Sequence, residues 1–189
     1  MEGSGTGRDS DRFVVLTGGP GSGKSTLIDR LEEAGFSRTE EAGRAIIQDQ
    51  SAIGGPALPW ADKDLFAELM LSWELRSHRA AAAQGPGPVF FDRGVVDVVG
   101  YLRLEGRPVP EHVHRAALSH RYHRRVFAAP PWPEIFRNDA ERRQSAEEAR
   151  RTYEAVTGAY VDYGYELVTL PKAPVEVRAR FLLDNIPLS

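Results

Sequence analysis

Residues 18–25 form the segment whose residue types and spacing most directly predict chemistry. They read GGPGSGKS and match the pattern G-x-x-x-x-G-K-[ST]. Glycines let the backbone curl until successive N–H groups point inward at an anion, and a following helix N-terminus favours negative charge. The segment therefore predicts a loop that binds nucleotide phosphates. Its expected binding residues are Gly19, Gly21, Ser22, Gly23, Lys24, Ser25 and Thr26.

The flanks of this loop suit that role. The apolar run 13–16 favours a strand before it, and residues 26–31 have helical spacing after it. In such a setting Lys24 is expected to reach the β and γ phosphates, and the Ser25 hydroxyl to hold Mg²⁺. A glycine-rich turn before a helix is the alternative, but it would not explain the Lys-Ser-Thr ending.

Asp92 and Arg93 form a second candidate pair, directly after the apolar run 89–91. The carboxyl ends of parallel strands meet at one edge of a sheet, so Asp92 would lie near the phosphate loop and orient Mg²⁺ directly or through water. Arg93 would contact the transferring phosphate, an acceptor phosphate or an acceptor hydroxyl. The alternatives are a helix N-cap for Asp92 and an ordinary surface charge for Arg93.

Three further residues are candidates for binding an acceptor. Glu41 follows the second predicted strand and could orient an acceptor hydroxyl and receive its proton, paired with Arg44 one helical turn later. An acidic helix N-terminus is the alternative explanation for Glu41. Trp60 lies in the loop 51–61, which contains two glycines and two prolines. It could grip an acceptor or anchor the loop to the core.

Arg137 and Arg142 follow the proline-rich break after the fourth predicted strand. A segment that carries arginines and closes over the γ-phosphate would exclude water and stabilise the charge of the transition state. We therefore expect at least one of them to act catalytically. A solvated helix with ordinary surface charges is the alternative.

Strand and helix patterns alternate along the chain. The expected strands cover 13–16, 36–40, 89–92, 126–128 and 165–170. The expected helices cover 26–34, 41–50, 62–84, 94–104, 111–121, 139–163 and 174–183. In the long third helix, Asp62 is the expected N-cap, and the expected buried face is Leu65, Phe66, Leu69, Met70 and Trp73. Alternating elements predict an α/β fold with a parallel sheet, in one domain over 12–189 after a flexible tail over 1–11.

Composition restricts the partners and the compartment. The chain has 189 residues, with 24 basic against 27 acidic side chains and a formal net charge of −3. This balance does not support duplex nucleic acid as a partner. Cysteine is absent, which excludes disulfides and thiolate chemistry. Since no signal peptide or membrane span is recognisable, a cytoplasmic protein without membrane attachment is expected, as a monomer or a homodimer.

Several segments resemble a known group of proteins. LTGGPGSGKST, EAGR, LPW with the following Asp62, FFDRGVVD, PPWPEIFRND and YELVTLP are similar to P-loop ATP-binding proteins of the AAA-labelled group that includes the NadR kinase domain. DRG also resembles the D/E-R-x motif of thymidylate and deoxynucleoside kinases. The resemblance implies a three-layer P-loop NTPase fold with a five-stranded sheet in the order 2-3-1-4-5, helices on both faces and an arginine-bearing lid. It also implies Mg-ATP as donor and an adenine bordered by the loop at Pro171.

Two departures from that group bear on function. Ala42 stands where NadR-like kinases have the aromatic residue of E-Y-A-R, so a nicotinamide-riboside acceptor is not supported. The chain also has no room for the small helical domain of true AAA+ machines. We therefore expect an ATP-dependent small-molecule kinase that transfers phosphate to a hydroxyl or a phosphate. The acceptor stays open among nucleosides, nucleotides, antibiotics and other natural products.

Other functions of a nucleotide-binding protein compete with this one. The main alternative is a nucleotide-hydrolysing regulatory ATPase that acts through a protein partner. A nucleotide-binding structural module would not need Lys24, Asp92 and Arg93 together. A GTPase is disfavoured because the chain lacks an N-K-x-D segment for guanine.

Overall fold

A computed structural model describes residues 10–134 and 146–186. In these ranges a parallel sheet has five strands in the order β2-β3-β1-β4-β5. The strands are β1 (Phe13–Gly18), β2 (Ser37–Arg38), β3 (Val89–Asp92), β4 (Arg125–Ala129) and β5 (Glu166–Thr169). The strand order and the parallel α/β architecture confirm the predicted fold class.

Helices connect consecutive strands and cover both faces of the sheet. They are α1 (Lys24–Glu33), α2 (Ala42–Ile53), α3 (Lys63–Ala82), α4 (Val95–Leu104), α5 (Glu111–Ser119), α6 (Ala146–Asp162) and α7 (Val175–Asp184). Helices α1 and α7 pack on one face, while α3, α4, α5 and α6 pack on the other. The result is the three-layer arrangement that parallel sheets adopt when both faces are buried.

The buried strand β1 shows why two cores form. Successive side chains of a strand point to opposite faces. Phe13 and Val15 accordingly join the core under α3 to α6, whereas Val14 and Leu16 join the core under α1 and α7. All four side chains are almost fully buried. An apolar run without alternation thus places the phosphate loop at the end of a central strand.

Most predicted bounds hold within a few residues, with two corrections near the acceptor side. Strand β2 covers Ser37–Arg38 instead of 36–40, because it is a short edge strand paired only with β3. Helix α2 continues to Ile53, three residues further than expected, and ends at Gly54 in the left-handed conformation. These changes shorten the loop that carries Trp60.

Helix α3 begins as predicted, and Phe66, Leu69, Met70 and Trp73 of its predicted buried face pack in the core. The Asp62 side chain accepts a hydrogen bond from the Leu65 backbone N–H at 2.9 Å, as an N-cap does. Leu65 is 38% exposed, so its predicted place in the core is wrong, while Leu71 and Glu74 are buried. The reason is that α3 packs against both the sheet and α4, which turns the stripe that contains Phe66 inward.

Two predicted regions fall outside the described residues. Most of the predicted tail, residues 1–9, and the predicted lid segment with Arg137 and Arg142 are among them. At the start of the described chain, the Arg12 side chain donates to the Ala81 carbonyl at 2.9 Å and to the Gly85 carbonyl at 3.0 Å. Within the two described ranges, no helix has the length and apolar character to cross a membrane.

Candidate active site

The phosphate loop connects β1 to α1 through glycines in conformations that other residues rarely adopt. Gly21 and Gly23 have φ of 65° and 77°, and Gly23 is the N-cap of α1. The Ser22 hydroxyl donates to the Gly19 carbonyl at 2.8 Å, which closes the curve of the loop. The ammonium of Lys24 lies 3.4 Å from the same carbonyl, and Lys24 is 6% exposed. This geometry fits a phosphate cradle at a helix N-terminus.

Gly18 and Gly19 are needed because the loop is enclosed by backbone. A Cβ at Gly18, where φ is 139°, would lie 2.4 Å from the Ala129 carbonyl oxygen at the end of β4. A Cβ at Gly19 would lie 2.4 Å from the Ala149 carbonyl oxygen in α6. Neither position has room for a side chain. The sheet and α6 therefore hold the loop from two sides.

Arg178 supports the loop from α7 and was not anticipated from the sequence. Its guanidinium donates to the carbonyls of Ser22 and Gly23, both at 3.1 Å. Arg178 is 3% exposed, and burial lowers its pKa. The guanidinium also lies 5.8 Å from the centre of the Trp132 ring. No motif marks this arginine, which occupies one position of an ordinary amphipathic helix.

Ser25 and Asp92 lie on neighbouring elements at the carboxyl edge of the sheet. Ser25 is the second residue of α1 and is exposed. Asp92 ends β3, is 5% exposed, and pairs in register with Leu16 on β1, just before the loop. A hydroxyl and a carboxylate are oxygen ligands of the kind that Mg²⁺ prefers. The residues present therefore fit a magnesium ion beside the phosphate loop.

Arg93 follows β3 in a strained backbone conformation. Its φ of 72° is the one positive φ found outside glycine in the described ranges. The guanidinium donates to the Gly18 carbonyl at 2.8 Å and lies 3.3 Å from carboxylate oxygens of both Glu41 and Asp97. Burial alone would lower the pKa of Arg93, but the nearby carboxylates outweigh burial and raise that pKa above the ordinary value. Such strain is held in place by its surroundings and is common at functional sites.

Asp97 is the centre of a buried hydrogen-bond network that sequence reasoning missed. It accepts from the Thr17 hydroxyl at 2.5 Å, the Tyr160 hydroxyl at 2.7 Å and the Gly94 backbone N–H at 2.9 Å. It lies four residues after Arg93, in the first turn of α4, and its carboxylate pairs with the Arg93 guanidinium. That spacing in FFDRGVVD was the available signal. Asp97 joins β1, α4 and α6 around Arg93.

Glu41 lies at the N-cap position of α2, with its carboxylate next to Arg93. Both side chains are largely buried, at 11% and 12% exposure. The predicted partner of Glu41 was Arg44, but Arg44 is exposed and does not line the cavity described below. The structure therefore brings Glu41 to Arg93, and the role of Arg44 stays a prediction.

A cavity of about 330 Å³ opens beside Glu41 and Arg93. Its walls come from α2, the loop after it, α3, α4 and α6, and they include Trp60, Phe66 and Tyr101. Trp60 is 62% exposed, so it does not anchor its loop in the core. The volume is within the range of small-molecule pockets. Pro171, the predicted neighbour of adenine, follows β5 and is half-buried.

Glu74 is a second cavity residue that sequence reasoning missed. It lies on α3, lines the cavity and is 3% exposed. Burial, together with the nearby carboxylates Asp97 and Asp92, raises the pKa of Glu74 well above its ordinary value. Its position in the middle of an amphipathic helix did not indicate that this carboxyl would line a cavity.

These features define the class of protein. A parallel sheet in the order 2-3-1-4-5 with a glycine-rich loop between the central strand and its helix is a P-loop nucleotide-binding fold. Residues 13–178 match the family model described as AAA domain, and the chain belongs to that family. A comparison with the sequences of curated proteins gives no match.

Solved structures with the same fold are kinase-like P-loop proteins. The crystal structure of NadR protein in complex with NR is similar with a TM-score of 0.70 at 18% identity, covering 96% of this chain and 53% of that chain. NadR protein in complex with NAD and AMP-PNP is similar with a TM-score of 0.66 at 17% identity, covering 94% and 49%. Deoxyadenosine kinase from M. mycoides with dCMP and dCDP is similar with a TM-score of 0.65 at 12% identity, covering 91% and 97%. The chain spans about half the length of the NadR protein, and at these identities the likeness shows the fold alone.

Proposed function

We propose that this protein is a Mg-ATP-dependent kinase that transfers the γ-phosphate of ATP to a hydroxyl or a phosphate of a small molecule. The phosphate loop supports nucleotide binding by its geometry. The fold is shared with a deoxyadenosine kinase that has been solved with dATP and with a NadR protein solved with AMP-PNP. The acceptor would occupy the cavity beside Glu41 and Arg93.

One observation carries this proposal. Arg93 donates to the carbonyl of Gly18, the first residue of the phosphate-loop motif, while its other side meets Glu41 in the cavity wall. A single guanidinium thus connects the donor site to the acceptor cavity. A protein that only hydrolyses ATP would need no second pocket at that point. Phosphoryl transfer depends mainly on positioning and charge neutralisation, which this arrangement supplies.

The roles of the individual residues follow from their places. Backbone N–H groups of residues 19–25 and the Lys24 ammonium would bind the phosphates. Ser25 and Asp92 would hold Mg²⁺, whose charge offsets that of the phosphate oxygens. Glu41 would orient an acceptor hydroxyl and receive its proton, with Arg93 holding the carboxylate in place. Arg137 and Arg142, outside the described residues, would close over the transferring group.

The experiment is phosphate transfer from Mg-[γ-³²P]ATP to pools of nucleosides, nucleotides and hydroxylated natural products. A labelled organic phosphate is expected in at least one pool. Lys24→Ala should lower kcat by about 10²-fold or more, because a preorganised cation is lost from the phosphate site. Arg115→Ala removes an exposed cation on α5 and should leave the rate unchanged.

Two results would contradict the kinase. An unchanged rate in Lys24→Ala would show that the phosphate loop takes no part in the reaction. Free phosphate as the only product, independent of every pool, would instead indicate the regulatory ATPase and direct the search to a protein partner. Circular dichroism of each variant shows whether a lost activity reflects a lost fold.

A further inference from the structure

The described residues that line the acceptor cavity carry an excess of negative charge. Its acidic residues are Glu41, Glu74, Asp97, Glu105 and Glu148, and its basic residue is Arg93. The Arg93 guanidinium is engaged by two of these carboxylates, and Glu105 pairs with Lys63 on α3. A phosphate ester in this cavity would meet like charges, which is unfavourable in a partly buried site. The lining therefore disfavours an anionic acceptor.

Aromatic rings complete the walls of the same cavity. Phe66 and Tyr101 pack edge to face with their ring centres 5.3 Å apart, and the exposed Trp60 adds a third ring. The Tyr101 hydroxyl is buried and has no hydrogen-bond partner among the described residues. Ring faces attract cations, and sets of aromatic residues are used to recognise organic cations. Acidic and aromatic residues thus point to the same class of ligand.

Glu74 provides a separate observation. It is 3% exposed and lines the cavity, and no described residue donates a hydrogen bond to its carboxyl. A buried carboxyl without a hydrogen bond is costly to keep, unless a ligand supplies the missing partner. An exposed glutamate elsewhere on α3, such as Glu68, carries no such cost because its carboxylate bonds to His112 and reaches water.

We propose that the acceptor is a hydroxylated organic cation and that Glu74 is the residue that binds its positive group. The aromatic walls would hold the apolar part of the cation, and its hydroxyl would point to Glu41. That the bound cation is a phosphate acceptor rests on the proposed kinase function. Binding of the cation itself can be measured without phosphate transfer. Phosphate monoesters would be excluded.

Binding should also depend on pH. The titratable groups that act on Glu74 from the packed elements are Glu41, Asp92, Arg93, Asp97 and Tyr122. Burial and these carboxylates, which outnumber the guanidinium, raise the pKa of Glu74, so its carboxyl keeps a proton to higher pH than an exposed glutamate does. A bound cation would displace that proton. Affinity for the cation should therefore rise with pH, and that of a neutral analogue should not.

The experiment compares cations with neutral molecules of the same shape by isothermal titration of the full chain. The pairs are choline with 3,3-dimethylbutan-1-ol, and N-(2-hydroxyethyl)pyridinium with 2-phenylethanol; phosphocholine tests the anionic ester. Each cation should bind at least about tenfold more tightly than its neutral partner. Glu74→Gln should weaken cation binding by about tenfold and remove its pH dependence, leaving neutral binding unchanged. Glu68→Gln on the same helix is the matched control.

Equal or tighter binding of the neutral partners or of phosphocholine would overturn the proposal, as would no cation binding at all. The comparison within wild-type protein needs no variant, so an unfolded Glu74→Gln would not remove the test. Phosphate transfer to the same molecules is recorded separately. Cation binding without transfer would contradict only the kinase, whereas transfer to neutral or phosphorylated acceptors without cation preference would contradict only this inference.

Discussion

The guanidinium of Arg93 lies 2.8 Å from the carbonyl oxygen of Gly18, and this hydrogen bond links the end of β1 to the acceptor cavity. The bond fixes Arg93 relative to the phosphate loop, since Gly18 ends β1 and pairs in register with Ala129 on β4. The Glu41 carboxylate accepts from Nε of the guanidinium, and the Asp97 carboxylate accepts from Nη1, the nitrogen that also donates to Gly18. In the proposed kinase, a displacement of this group would therefore separate donor and acceptor.

Arg93→Lys should lower kcat by about 10²-fold with a smaller change in the KM for ATP, because an ammonium cannot reproduce the planar fork that reaches three partners. Steady-state phosphate transfer measures both constants. The exposed Arg115→Lys is the matched control. A lysine variant with wild-type kcat would show that position 93 contributes charge alone.

Asp97→Asn should destabilise the fold by about 2–4 kcal/mol, since it weakens the acceptor of two buried hydroxyls and removes a charge partner of Arg93. Urea denaturation gives the free energy of unfolding. Asp162→Asn removes a carboxylate that is 60% exposed and bonded to Arg103, and should change stability by less than about 1 kcal/mol. Equal effects of the two substitutions would contradict the central role of Asp97.

The unfolding free energy of Glu74→Gln, relative to that of wild type, should increase as pH rises. In the unfolded chain Glu74 ionises near the ordinary value of 4.5, whereas the folded protein keeps its carboxyl protonated to higher pH. Wild type therefore loses stability above pH 4.5 until Glu74 ionises in the folded state, by up to about 1.4 kcal/mol per pH unit. Unfolding free energies in urea at pH 5 and at pH 8 measure the difference.

The control for that pH dependence is Glu68→Gln, whose exposed carboxyl lies on the same helix. Its stability relative to wild type should not vary with pH in the same way. A Glu74→Gln difference that is constant from pH 5 to pH 8 would show that Glu74 is ionised throughout in the folded protein.

Gly19→Ala should weaken binding of a fluorescent ATP analogue by about tenfold or more and destabilise the protein by about 1–3 kcal/mol, because the new Cβ would push the loop off α6. Gly158→Ala adds the same methyl group within α6, where nothing lies within 4 Å of the added Cβ. It should stabilise the helix by up to about 1 kcal/mol. Unchanged nucleotide binding in Gly19→Ala would show that the loop accommodates a displacement.

Strands and helix caps of this protein can be predicted from its sequence. Strand β3 covers Val89–Asp92, as predicted, because a fully apolar run stands between Pro88 and a charged residue. Asp62 caps α3 as predicted, since a cap depends on neighbours three residues away. The face of α3 was less predictable. Leu65, which was expected in the core, is exposed, and Glu74 is buried, because burial depends on which elements the helix meets.

Local sequence patterns do not predict which residues the site residues contact. Arg178 meets Gly23 at a separation of 155 positions in the chain, and Arg93 meets Gly18 at a separation of 75. Spacing in the chain indicates a phosphate loop and a carboxylate at a strand end, since both depend on adjacent residues. Only the folded sheet brings α3, α4 and α7 to one edge. This packing decides that Glu74 is buried in a cavity and that Arg178 supports the loop. The sequence by itself thus determined the nucleotide-binding loop and its strand, and tertiary packing decided the shape and charge of the acceptor cavity.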